Sequence, residues 1–141
     1  VSWNEKSVAL DYHTYSGDDG ASADFEGLRP LYQTGHGILG LADQIGQTNT
    51  TDLSLHFKWN QDENSSWGLA YHMFSADQVA AGFDDDLGDE IDLTYSYQYS
   101  GDVSFNFGYA AYSAGALPTD ATPGISGMDA NTMWVTTNVN F

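Results

Sequence analysis

Five segments of the chain set an apolar residue at nearly every odd position and a polar or small one at most even positions, and the parity holds from residue 53 to residue 141. Over 53–59, Leu53, Leu55, Phe57 and Trp59 stand against Ser54, His56 and Lys58; over 67–73, Trp67, Leu69, Tyr71 and Met73 stand against Gly68, Ala70 and His72. Over 91–99, Ile91, Leu93, Tyr95, Tyr97 and Tyr99 alternate with Asp92, Thr94, Ser96 and Gln98; over 103–111, Val103, Phe105, Phe107, Tyr109 and Ala111 alternate with Ser104, Asn106, Gly108 and Ala110. The stretch 132–141 ends the series with Met133, Val135, Val139 and Phe141 against Trp134, Thr136, Asn138 and Asn140. A sixth segment, 8–15, sets Val8, Leu10 and Tyr12 against Asp11, His13 and Tyr15. Successive strand side chains point to opposite faces, so each segment reads as a strand with one apolar and one polar face. The expected strands are 5–16, 50–60, 66–76, 89–100, 103–114 and 131–141, each antiparallel to its neighbours, with no helix between them.

A water-soluble sandwich also alternates, and the chemistry of the two faces decides between the readings. One face is rich in Leu, Tyr, Phe and Trp; the other carries Ser, Thr, Asn, Gln and Gly with few large apolar groups. That division suits lipid on one side and water on the other, and it predicts an all-β, antiparallel transmembrane β-barrel. The connections agree. The outer loops, 16–51, 75–90 and 112–131, alternate with short links at 60–66 and 100–102, as extracellular loops alternate with periplasmic turns. Trp59, Trp67, Tyr99 and Phe141 gather at the short-turn end on the lipid parity, where they are expected to form an aromatic girdle. The terminal Phe141 with its alternating partners resembles the signal read by the outer-membrane insertion machinery, which is therefore an expected partner.

Six strands do not close a barrel with an aqueous lumen. Closed barrels begin at about eight strands and water-filled pores need about 16–18. An open edge in lipid would leave unpaired backbone groups at several kcal/mol each. Residues 1–141 are thus expected to be the C-terminal portion of a single, larger barrel domain of about 16–18 strands, joined to its remaining strands. The chain opens at Val1 without a methionine, so processing or truncation is expected to have removed the front.

The stretches 16–20, 25–43, 48–55, 86–100 and 103–112 together resemble, in order, the C-terminal region of the alginate-export-like outer-membrane barrel family. The resemblance implies a monomeric barrel, a place in the bacterial outer membrane, and export of an anionic polysaccharide or general porin transport. Polyuronate passage requires cationic lining. Only Lys6, Arg29 and Lys58 face 20 acidic residues, for a net charge of −17, and Lys58 alone lies on the lumen parity of a clear strand.

Thirteen carboxylates fall in the long loops: Asp18, Asp19, Asp24, Glu26 and Asp43; Asp77, Asp84, Asp85, Asp86, Asp89 and Glu90; Asp120 and Asp129. At an outer mouth they repel anions and concentrate cations. The expected function is therefore passive passage of small polar or charged solutes through an outer-membrane porin with a cation-preferring mouth. The alternatives are an alginate-like polysaccharide exporter and a structural or adhesive barrel without transport. The expected lumen lining is Ser54, His56, Lys58, His72, Asp92, Thr94, Ser96, Gln98, Ser104, Asn106, Thr136 and Asn138. Asp84, Asp85 and Asp86 are candidate ligands for a divalent cation, which could bridge the loops to lipopolysaccharide phosphates; their spacing lacks the graded positions and central glycine of an EF-hand.

No catalytic set is expected. His56 and His72 share the lumen face of one hairpin, diagonal to each other if Trp59 pairs with Trp67, but the pattern suggests no third ligand and no carboxylate to orient either ring. No cofactor is implied, and the charge has the wrong sign for nucleic acid. His36, within Thr34-Gly-His-Gly37, is expected to help fold the first long loop against the barrel mouth or into it.

Overall fold

The computed structural model describes residues 2–3, 5–32, 36–116 and 127–141. Every regular element among them is a β-strand: β1 (Ser2–Trp3), β2 (Lys6–Tyr15), β3 (Thr50–Asn60), β4 (Ser65–Ser75), β5 (Asp86–Gln98), β6 (Val103–Ala114) and β7 (Ala130–Val139). They form one antiparallel sheet in the order β1 to β7, each strand paired with its sequence neighbours. The six long strands match the expected strands to within three residues at either end. Only β1 lacks a counterpart in the pattern, because two residues cannot display a period. The sheet is not closed, and β1 and β7 are its edges.

Pairing preserves parity across the sheet. Leu55 lies opposite Leu10 and Tyr71, Tyr71 opposite Ile91, and Ile91 opposite Ala111, which puts the apolar sets of all these strands on one face. Trp59 pairs with Trp67, the register that the His56–His72 expectation required. The links at one end are short. Gln61 N–H donates to the Ser65 carbonyl at 2.9 Å, and Tyr99 N–H to the Val103 carbonyl at 2.9 Å. In the first of these links the Asn64 N–H donates to Asp62 Oδ1 at 2.8 Å. The connections at the other end are long, at 16–49, 76–85 and 115–129.

One irregularity shifts the register. Phe74 pairs with Gly88, but Ser75 pairs with Asp86, leaving Leu87 as the extra residue of a bulge. Gly88 has φ +121°, and a Cβ there would stand 2.2 Å from the Ser113 carbonyl oxygen, so only glycine fits. The bulge turns Leu87 into the buried cluster formed with Phe74, Ala110 and Tyr112, and the Tyr112 hydroxyl donates to the Leu87 carbonyl.

Candidate functional site

The apolar and polar faces have opposite fates. On the odd face of β3 to β7, large apolar side chains stand open: Leu55 is 50% exposed, Leu69 47%, Ile91 49% and Val135 69%. The even face, rich in polar groups, instead receives the first long loop. Leu39, Ala42 and Ile45 of that loop are buried against Phe74, Leu87, Ala110 and Tyr112, with Tyr15, Ala130 and Trp134 at the margin. Phe74, Tyr112 and Trp134 are the large apolar exceptions to the polar even set, and they form the seat of the loop.

Glu90 fastens the loop in place. Its Oε1 accepts the Leu41 N–H at 2.6 Å and the Ala42 N–H at 2.7 Å. Gly40 lets the backbone come this close: its φ is +78°, and a Cβ would lie 2.4 Å from Glu90 Oε1. Trp134 lies over Gly108, where a Cβ would meet the indole at 1.9 Å, and its ring is 6.1 Å from that of His36. The loop leaves β2 and reaches β7, a crossing of about 24 Å at about 4.8 Å per strand. Two further bonds join it to the second loop: Asn49 accepts the Gln78 N–H at 2.7 Å and donates to the Gln78 carbonyl at 2.9 Å. His36 bonds Asp43 at 3.1 Å. Thr34 and Asp120 lie outside the described residues.

Below the seat is a buried polar set. His72 Nδ1 is 3.0 Å from Asp52 Oδ2, and its Nε2 is 3.6 Å from Asp92 Oδ2. The expectation that no carboxylate orients either histidine is corrected here: Asp52 lies on the same face of β3, two residues from the Ser54 that pairs with His72, and Asp92 lies diagonally across from His72 on β5. His56 Nε2 is 3.1 Å from Ser54 Oγ and 3.6 Å from Asp11 Oδ2. Both contacts use the same ring nitrogen, whereas a nucleophile relay needs the serine on one nitrogen and the carboxylate on the other. The two imidazoles meet edge to face at 5.3 Å.

The twelve expected lining residues share the even face, but they divide by depth. Ser54, His72 and Asp92 are sealed under the loop. His56, Thr94, Ser96, Ser104 and Asn106 are half-buried, while Lys58, Gln98, Thr136 and Asn138 are exposed. A cavity of about 420 Å³ opens between the loop and the wall, lined in part by Gly37, Leu41, His56, Lys58, Asp92 and Thr94. Glu90, expected among the carboxylates of the outer mouth, is fully buried in β5. Asp86 and Asp89 also belong to β5, though both remain exposed.

Of the girdle residues, Trp59 and Trp67 pair across β3 and β4, and Lys6 Nζ lies 5.7 Å from the Trp59 ring centre. Tyr99 lies 6.3 Å from Phe105, and Phe141 is fully exposed beyond the end of β7. Two of the three candidate cation ligands turn inward to their own backbone: Asp84 accepts the Asp86 N–H at 3.1 Å, and Asp86 accepts the Gly88 N–H at 3.0 Å. Among the described residues no three His, Cys, Asp or Glu side chains are gathered to hold a metal ion. No protein-family model and no curated protein matches the chain.

Proposed function

We propose that the chain forms part of the wall of an outer-membrane β-barrel through which small polar or charged solutes pass passively, with the even face toward water and the odd face toward lipid. The exposed apolar face carries this reading. A soluble sheet buries its apolar face, whereas here the loop covers the polar one. A continuous surface of Leu, Ile, Tyr, Phe and Trp across six strands is far more than a soluble monomer leaves open. On β6 the apolar column from Val103 to Ala111 runs about 27 Å along the strand, or about 20 Å in height at a 40° tilt, close to the band of about 25 Å in outer-membrane barrels. The edges at β1 and β7 call for further strands, since unpaired backbone in lipid is costly.

In this reading the loop across the even face narrows the lumen, and the cavity beside Lys58 and His56 is part of the remaining path. Exposed Asp19, Asp24, Glu26, Asp43, Asp77, Asp84 and Asp85 in the loops bias the mouth toward cations. The resemblance to the alginate-export-like family belongs to the same proposal. The lack of a cationic track on the described even face favours small solutes over a polyanion. Planar-bilayer recording of the full protein tests this: stepwise conductance is expected. A silent membrane would leave a structural or adhesive barrel as the better account.

A further inference from the structure

Glu90 and Asp92 stand two positions apart on the same face of β5, so their carboxyl groups are neighbours beneath the seated loop. Both are buried, at 0% and 4% exposure, and Glu90 Oε2 and Asp92 Oδ1 receive no hydrogen bond from any described donor. Two carboxylates supply no donor, so their close approach needs a proton on one of them. The surroundings offer little other compensation. From β3 come Asp52, His56 and, farther down, Lys58; from β4 comes His72 between Asp52 and Asp92. Asp11 and His13 lie on the same face of β2, Tyr112 on that of β6, and the loop brings the exposed His36–Asp43 pair. Asp86 and Asp89 are the other charged groups of β5, β7 has no titratable side chain, and Arg29 is stacked on Phe25.

We infer that the buried Glu90–Asp92 pair forms a proton-dependent latch that holds residues 36–45 across the even face. With one proton held between the carboxyls, Glu90 stays in place to accept the Leu41 and Ala42 amides, and the loop remains seated. With that proton lost, two buried carboxylates repel at close range beside Asp52, and separation into water relieves them. The seated state therefore binds more protons than the released state. Seating is full at low pH and weakens as pH rises, by up to about tenfold per pH unit for one proton. Seating itself does not depend on the channel reading; only its consequence, a wider path at high pH, rests on it.

The 141 residues contain no cysteine, which makes a thiol a clean reporter. In the full protein in its membrane, Ala42→Cys places a thiol under the loop, and Ser22→Cys an exposed control on the same loop. Both are labelled with a maleimide. The Ser22→Cys rate gives the pH dependence of an exposed thiolate, and the non-titrating variants below give that of the buried one. The ratio of the Ala42→Cys rate to the Ser22→Cys rate should be low at about pH 6 and rise at least about tenfold by pH 9. Asp92→Asn and Glu90→Gln each keep a donor between the pair without titrating, and both should keep the ratio low throughout. A ratio independent of pH in the parent protein would overturn the latch. So would a rise that persists unchanged in both variants. A labelling switch in a protein that never conducts would support the latch and remove the channel reading instead.

Discussion

Replacing Leu55 by arginine separates the two environments open to the odd face. Leu55 lies between Leu10 and Tyr71 in the middle of the apolar band and is 50% exposed. If that face meets water, Leu55→Arg is an ordinary surface change within about 0.5 kcal/mol. If it meets the bilayer near its midplane, an arginine costs about 2–4 kcal/mol, or about 30- to 900-fold in the folding constant. Asn106→Arg on the opposite face is the control. It loses the 2.9 Å bond from the Ser96 hydroxyl, worth about 1 kcal/mol, and leaves a charge facing the lumen. Urea unfolding of the full protein in lipid vesicles, followed by tryptophan fluorescence, should order the proteins parent, Asn106→Arg, Leu55→Arg from most to least stable. An Leu55→Arg cost no larger than that of Asn106→Arg would refute the lipid-facing assignment.

Gly40→Ala combines a positive φ of +78° with a Cβ 2.4 Å from Glu90, so the loop should unseat at a cost of about 1–3 kcal/mol, and hydrogen exchange should show lost protection of the Leu41 and Ala42 amides. Gly108→Ala should displace the Trp134 indole, which a Cβ would meet at 1.9 Å, and shift tryptophan emission as the loop loses its far contact. Changing Asp84, Asp85 and Asp86 together to Asn keeps an acceptor for the Asp86 and Gly88 amides, so circular dichroism should be unchanged. Cation preference, measured as reversal potential in a salt gradient, should fall in that variant, most clearly at low ionic strength.

Parity carried most of the fold. With Trp59 set against Trp67, the pairings from β3 to β7 join like parities except at the bulge, β2 joins with its parity reversed, and six strand positions can be read directly. The reading fails where the alternation is broken. At the bulge, odd Leu87 crosses to the even face, so β5 begins at Asp86, inside a run of acids that looks like loop. Glu90 lies within the expected strand 89–100 on the even parity, and its burial comes from the loop seated on it, which alternation does not report. The loop seat depends on contacts between residues far apart in the chain, which local periodicity does not register. Its trace in the sequence is Phe74, Tyr112 and Trp134, three large apolar residues on an otherwise polar parity at the long-loop end. Asp52 had the right parity to reach His72 and could have been found from the register alone.

The two-faced wall is tested most directly by a nitroxide scan along β6 of the full protein in lipid bilayers, one label at a time from Ser104 to Tyr109. Collision rates with oxygen, which concentrates in lipid, and with a water-soluble nickel chelate should alternate with a period of two. Phe105, Phe107 and Tyr109 should favour oxygen, and Ser104, Asn106 and Gly108 the chelate or neither. Chelate access at both parities, or the opposite phase, would contradict the account.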